Sequence, residues 1–577
     1  MSSHTRDFKF LARRLGLATA AVGALLGGAL ALAPAGAGSS AVAAPGDAAA
    51  LLPEPGLRLI SQSQYVNTVH RIFGEDIAVR IRFAPVKRVD GLLAVGASTA
   101  VLTPGALDPL DATARSIAAQ VTDEAHRRFL VPCTPADARA ADEACARAFI
   151  ARTGRLLFRR PLTSAELARY TGMATRAAGA GGFYPGLANA LSGMLVSPQF
   201  LYIREIAEPG AAADAWRLDA YSKASRLSFL LWNSGPDDEL LTAAERGEFN
   251  TAEGLRRQFD RMVASPRYQD GVREFFTDFL VFEAFDTLAK DPTIYPAFSL
   301  KAVAESREQA LRTVVDHLVA RKGDYRELFT TRNTFMSSEL GVIYQVPVNT
   351  GALGWVPYRF PAGDPRGGLL TQTGFLAQYA HAGRSSPTRR GRAIREVLLC
   401  QHVPDPPPNV DFSNFEDPKS GLHTARERLT AHNENPVCAG CHKVTDPIGL
   451  SLENFDGAGQ FRTMEGTARI DVSGSLDGVA FSDPAGLGKA LAGNESLKSC
   501  IVNRLYAYSV GRKLLAPEEA RLEQYQAALD KRGYRFDDML RMIVLDPSFF
   551  AIRPVRPDLL QTAALTSAPV HGDRHAH

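Results

Sequence analysis

The chain is poor in several things, and each shortage excludes something. Of 577 residues only 6 are cysteine and 3 are tryptophan. It is therefore not a small disulfide-dense scaffold, a class that draws its rigidity from many bridges. An excess of either charge is also missing. Lys and Arg number 65 against 62 Asp and Glu, and residues 1–43 hold the whole difference, with Arg6, Lys9, Arg13 and Arg14 against Asp7. The remaining chain carries 61 charges of each sign. It has no basic footprint for nucleic acid or for an anionic membrane, so no nucleic-acid partner is expected. Gly 48 and Pro 35 are near average, which excludes collagen-like and low-complexity architecture. Past residue 43 no apolar run approaches the roughly 18 residues of a bilayer-spanning helix. No G-x-S-x-G elbow occurs, which argues against a serine hydrolase of that kind.

What is present begins at the N-terminus. A basic stretch to Arg14 is followed by an apolar run from about Leu15 to Ala35, small residues, and Ala41-Val42-Ala43. This reads as a secretory leader cut after Ala43, with Arg13-Arg14 a faint echo of a twin-arginine signal. An uncleaved anchor is the alternative, since about 20 apolar residues can span a bilayer. The reading predicts a periplasmic or extracellular protein with no transmembrane segment once the leader is removed.

Length suggests three or four domains, and 45% hydrophobic with 22% charged residues is an ordinary globular composition. Apolar residues recur at helical spacing over 57–73, 106–130, 135–157, 185–206, 219–233, 251–264, 268–286 and 300–322. Thr163-Ser164-Ala165-Glu166 is a capping box, and Asp219 and Thr251 stand where N-caps belong. Period-two alternation is scarce, and Ile470 to Phe481 is its best example, a small β insert with Gly474 and Gly478 as turn residues. The expected fold class is mainly α, a multi-domain helical protein with a cytochrome c-like haem-binding region and that insert. Composition shifts divide it into a leader 1–43, helical segments 57–128 and 133–206, a linker at 207–215 and a central helical segment 216–344. A Pro- and Gly-rich entry at 345–368 leads to a cytochrome c-like segment 365–466, then a C-terminal helical segment 470–554 and a polar tail 556–577. Pro404 to Pro408 reads as a stiff connector, and His571, His575 and His577 as tail composition rather than a metal site.

A faint internal echo runs through the chain. Met194-Leu-Val-Ser-Pro198-Gln-Phe200 resembles Met262-Val-Ala-Ser-Pro266-Arg-Tyr268 and, more loosely, the stretch from Met542 to Phe549. Gly154-Arg155-Leu156-Leu157 likewise has a counterpart in Gly511-Arg512-Lys513-Leu514-Leu515, each ahead of a Glu-rich helix start. Duplication of a helical unit and convergent helix punctuation both account for this.

The chemistry lies in the cysteines. Cys438-Ala-Gly-Cys441-His442 is C-x-x-C-H, the attachment signature of c-type haem. Two thiols three residues apart add across the two vinyl groups of one porphyrin, and the next residue supplies the proximal iron ligand. A redox disulfide would want a thioredoxin-like βαβ context, and a zinc site a second ligand pair, and neither is present. The other four, Cys133, Cys145, Cys400 and Cys500, are even in number and suit an oxidising compartment. Cys133 and Cys145 could close a local loop, leaving Cys400 and Cys500 to pair across the haem segment. Three pairings are possible, and free buried thiols are the alternative for Cys400 and Cys500. For His442 the Asp446-Pro447 turn offers a carbonyl to the second ring nitrogen. Met464 is a candidate sixth ligand, with His432, His423 and His381 as rivals, and Arg389, Arg390, Arg392 and Arg462 are candidate propionate donors.

Four stretches carry a resemblance: Arg159-Arg160-Pro161-Leu162-Thr163, Arg226 to Asp237 (RLSFLLWNSGPD), Arg389-Arg390-Gly391, and Asp446 to Asp456 (DPIGLSLENFD). From about Leu57 to Pro554 the chain resembles the large exported bacterial proteins, abundant in planctomycetes, that string five domains of unknown function around a single C-x-x-C-H. The resemblance implies an extracytoplasmic, cytochrome c-like protein, and it supplies no substrate.

The expectation is thus an exported redox protein with one covalent haem c. It is either an electron carrier for a redox partner protein or a haem-dependent oxidoreductase acting on an unknown substrate. More than 350 residues precede the haem motif, far more than a carrier needs, which argues for an added substrate or partner surface. The alternative is a non-haem, disulfide-stabilised helical scaffold or surface-binding protein.

Overall fold

Helices begin where capping side chains stand. Ser61 and Gln64 form a capping box ahead of Gln62–Phe73, and Thr163 and Glu166 form another ahead of Ser164–Gly181. Asp142, Asp219 and Thr251 cap Glu143–Phe158, Ala220–Trp232 and Ala252–Ala264. Each side-chain oxygen accepts from an N–H that has no partner inside the helix, worth about 1 kcal/mol. The computed structural model describes residues 52–210, 215–351, 354–405, 421–434 and 436–554. The leader 1–43, the tail 556–577 with its three histidines, residues 211–214 of the linker and 406–408 of the proline run lie outside the described residues.

Among the described residues the fold is mainly α, with five two-stranded antiparallel sheets. Several boundaries differ from the periodicity. Leu57–Leu59 is a strand paired with Tyr202–Arg204, although both had read as ends of helices. Ser61 fixes the first helix start at Gln62, and Pro198 opens only one helical turn, Pro198–Leu201. Leu59 and Ile203 still reach the core from their strands, which is why apolar spacing alone misread them. The expected helix at 106–130 is Pro104–Thr122 followed by the short Arg127–Leu130. Those at 268–286 and 300–322 end early, in a 3-10 turn after Phe279 and a π-helical turn after Val315. The expected Pro- and Gly-rich entry contains a strand, Val356–Arg359, paired with Asn333–Met336. The β insert is the hairpin Gly474–Leu476 with Val479–Phe481, turning at Asp477-Gly478. Gly474 is not a turn residue. A Cβ there would lie 2.0 Å from the Pro447 carbonyl oxygen, so it is glycine because the strand passes against backbone.

The described residues belong to one compact unit with two principal cores. Segments 57–128 and 133–206 share the first, which Phe229 enters from outside. Segments 216–344, 365–466 and 470–554 share the second, which Leu92 and Val95 join from the N-terminal part. The buried Arg226 ties these parts together. Its Nε and Nη2 meet Glu205 Oε1 at 2.9 and 2.6 Å, and Nη1 donates to the Phe549 carbonyl.

The internal echo is structural, but in another register than Gly154-Arg155 with Gly511-Arg512: Gly154 lies inside a helix and Gly511 ends one, so that Arg160 and not Arg155 is the counterpart of Arg512. Glu143–Phe158 and Glu495–Val510 are both 16 residues long, start on Asp142 and Asn494, and end in left-handed residues, Arg159 (φ 60°) and Gly511 (φ 65°). Arg160 then grips Glu166 through two bonds of 2.9 and 2.8 Å, and Arg512 grips Glu518 through two of 2.8 and 2.7 Å. In both copies the glutamate is the N3 residue of the next helix, Ser164–Gly181 or Ala516–Arg532. The helix after that leads into Ser197-Pro198 in one copy and Asp546-Pro547 in the other, each a capped turn carrying a buried phenylalanine.

Candidate haem-attachment site

The C-x-x-C-H sequence lies in the first turns of the helix Pro436–Gly449, with proline at its first position, where no N–H is needed. At 3.6 residues per turn, Cys438, Cys441, His442 and Asp446 fall on one side of it. The structure joins Cys133 to Cys145 and Cys400 to Cys500, and leaves Cys438 and Cys441 as half-buried thiols. Cys441 Sγ lies 3.5 Å from the Pro404 carbonyl oxygen.

His442 is mostly buried, and its Nδ1 lies 2.8 Å from Asp446 Oδ2. The expected turn carbonyl is therefore replaced by the carboxylate one helical turn on, because Pro447 lies inside the helix instead of ending it. Asp446 is buried, and its Oδ1 accepts from Thr388 Oγ1 at 2.8 Å and Thr445 Oγ1 at 3.2 Å. An ionised carboxylate only accepts, so Nδ1 carries a proton, and in the neutral imidazole Nε2 is the nitrogen with the free lone pair.

Against the His442 ring stands that of His432, at the end of the helix Ala425–His432, with centroids 4.9 Å apart and planes at 72°. Burial, then the neighbouring His442, holds the His432 imidazole below its ordinary pKa. Met464 is 45% exposed on a short hairpin whose Glu465 accepts from the Ala425 backbone at 2.8 Å. His423 is exposed ahead of the same helix, and His381 offers its carbonyl to Lys290 Nζ. Among the described residues no three His, Cys, Asp or Glu side chains converge as a metal-ion site.

All four candidate propionate arginines have other partners: Arg392 pairs with Glu396 at 3.0 Å and Asp405 at 2.7 Å, and Arg389 donates to the Ala380 carbonyl at 3.1 Å. Arg390 is fully buried, with its guanidinium directed at the carbonyls of Leu376, Leu452, Phe455 and Asp456 and at Glu453. Arg462 holds Glu453 Oε2 at 3.0 Å and Ser385. The Arg389-Arg390-Gly391 and Asp446 to Asp456 motifs thus form a clamp around the C-x-x-C-H helix. A Cβ at Gly391 would lie 2.0 Å from the Thr445 carbonyl oxygen, and one at Gly449 would lie 1.7 Å from that of Pro387. The helix Pro387–Ala393 can approach this closely only because both are glycine.

Four family models match the chain, each described as a protein of unknown function: DUF1595 over 145–205, DUF1592 over 218–346, DUF1588 over 366–465 and DUF1585 over 477–549. The chain is a multi-domain protein that contains domains of four planctomycete-type families. Four domains are matched where five were expected. The name of the DUF1588 model, PSCyt3, hints at cytochrome-like character, and its span contains the C-x-x-C-H helix, His432 and the Arg390 clamp. The two copies of the internal repeat fall in different models, DUF1595 and DUF1585. No curated protein and no solved structure matches the chain.

Sequence reasoning missed the Asp446 carboxylate. Its signal was present, an aspartate four residues after the histidine, but the following proline made the segment read as a turn.

Proposed function

We propose that this is an exported redox protein carrying one covalent haem c, attached through Cys438 and Cys441 and ligated by His442 Nε2. One observation carries the reading: two unpaired thiols on the same side of a helix as a histidine whose other ring nitrogen is already held by a buried carboxylate. These residues fit the group, since the sulfurs are not consumed in a disulfide and Nε2 is the nitrogen left for a ligand. Haem would supply an iron centre that takes up and releases single electrons. The chain's own contribution is orientation and basicity. Asp446 keeps the proton on Nδ1, fixes the ring and makes Nε2 a stronger donor, while Thr388 and the close approaches of Gly391 to Thr445 and of Gly449 to Pro387 hold Asp446 in place. His432, whose ring lies against that of His442, would be nearer to the haem than the exposed Met464. The two disulfides support an oxidising compartment outside the cytoplasm.

Electron transfer to a partner protein is the first form of this reading. A haem-dependent oxidoreductase is the second, favoured by the carboxylate on Nδ1, which strengthens the proximal donor beyond what a carbonyl would do. Expression in a host that matures c-type cytochromes, followed by a pyridine haemochrome, tests the proposal. The expected result is one covalent haem per chain, abolished by Cys438→Ala/Cys441→Ala, with a low-spin ferric spectrum for the carrier and a high-spin one for the oxidoreductase. Absence of covalent haem from the wild type in that host would refute both forms.

A further inference from the structure

A cavity of about 360 Å³, within the size range of small-molecule pockets, lies where three of the matched domains meet. Four arginines line it: Arg88, Arg389 and Arg392, with Arg504 on the helix Glu495–Val510. Phe279 and Tyr379 are among its aromatic and aliphatic walls. It is distinct from the haem-attachment site. The helix Pro387–Ala393 turns Thr388, Gly391 and, in its π-helical extension, Arg395 toward the C-x-x-C-H helix, touching Asp446, Thr445 and Val444. Arg389, Arg392 and Glu396 lie on its other side, at the three- and four-residue spacing of one helix face.

Two of the arginines are already neutralised. Arg88 meets Asp278 at 2.8 Å and Glu283 at 2.5 Å, and Arg392 meets Glu396 at 3.0 Å and Asp405 at 2.7 Å. The other two are held more loosely. The Arg504 side chain is only 15% exposed and pairs with Asp90 at no closer than 3.9 Å, and its guanidinium makes no hydrogen bond among the described residues. Arg389 donates to the Ala380 carbonyl at 3.1 Å and meets no carboxylate there. A guanidinium carries five N–H donors, and these loose contacts leave most of them for an anion in the cavity. The walls are also fixed in advance. Cys500 lies one helical turn before Arg504, and its disulfide partner Cys400 follows the π-helical turn Ile394–Leu398, so a covalent bond joins the two arginine-bearing walls. Gly91 seats Arg504 from the third side, where a Cβ would lie 2.3 Å from its guanidinium.

We propose that this cavity binds a small organic anion, a carboxylate on a compact aromatic or aliphatic body, held by Arg504 and Arg389 with the apolar walls around the body. Planar guanidinium forks match a carboxylate two bonds at a time, and the apolar lining excludes a purely inorganic guest. The inference goes beyond the redox reading and does not depend on haem. Isothermal titration of the full chain with benzoate, hexanoate, benzamide and inorganic phosphate tests it. Benzoate or hexanoate is expected to bind saturably at one per chain, with benzamide and phosphate at least tenfold weaker than benzoate. Arg504→Met and Arg389→Gln are each expected to weaken carboxylate binding tenfold or more. Arg389 is exposed, so its variant keeps the fold, which an unchanged melting temperature verifies. No saturable carboxylate binding, equal binding by the folded Arg389→Gln variant, or equal affinity for benzamide or phosphate would each overturn the proposal.

Discussion

Arg390→Met removes a guanidinium that is 0% exposed while keeping an apolar stem of similar length. Nη1 donates to Leu452 and Phe455 at 2.9 and 2.8 Å, and Nη2 to Leu376 and Asp456 at 3.2 and 2.5 Å. Glu453 Oε1 is 3.4 Å away. A hydrogen bond to a charged group is worth about 1.5–3 kcal/mol, and stripping one partner from a buried ion pair costs about 3–5 kcal/mol. These overlap, because the same guanidinium makes them all, and Arg462 still holds Glu453 at 3.0 Å. A loss of about 4 kcal/mol is therefore expected instead of the sum, a large part of a typical total stability of about 5–15 kcal/mol. The assay is hydrogen exchange followed by mass spectrometry. At about 1.4 kcal/mol per factor of ten, amides of 445–456 should exchange roughly a thousandfold faster. Those of Glu143–Phe158, in the other core, should be unchanged. Arg390→Lys should recover little, since one ammonium cannot serve four carbonyls spread around a planar fork. Less than a tenfold change in 445–456 would refute the clamp.

Two further predictions concern titration and potential. Lys290 is buried and donates to the His381 carbonyl at 2.9 Å; burial, with Arg390 and Arg389 nearby, lowers its pKa to about 7. Its desolvation cost is present in full below that pH, and stability should rise between about pH 7 and 10, where the unfolded chain alone keeps the proton, with a slope of up to about 1.4 kcal/mol per unit. Lys290→Met should flatten that rise in a series of thermal melts, and an identical pH profile would contradict the assignment. In the haem-loaded protein, Asp446→Asn should weaken the proximal donor and raise the midpoint potential, by about 59 mV for each tenfold differential loss of ferric over ferrous binding. Spectroelectrochemistry reads this directly, and an unmoved potential would mean that the carboxylate does not act through His442.

Much of the local structure was legible because its causes are local. Thr163, Asp219 and Thr251 cap helices from within a few residues, and so do Ser61 and Asp142, whose helices apolar spacing had begun too early at 57 and 135. Errors arose where the same apolar spacing served another partner. Leu57–Leu59 and Tyr202–Arg204 are strands because they pair with each other across the first core, information neither segment contains. Likewise the composition shifts that separate five segments say nothing about which segments share a core. The long motifs that carried the family resemblance are chiefly architecture: Arg226 is a tie between parts, Arg390 a clamp, Gly391 and Gly449 a contact between helices.

The sequence by itself determined the mainly helical class, the helix starts after Thr163, Asp219 and Thr251 and the spacing of Cys438, Cys441 and His442, because each depends on chemistry within a turn or two of the chain. Only the tertiary structure decided that Pro447 stays inside the helix so that Asp446 reaches His442, that His432 faces that ring, and that Arg504 and Arg389 line one cavity. The cavity brings together helices far apart in sequence, which no signal within a turn or two of the chain announces.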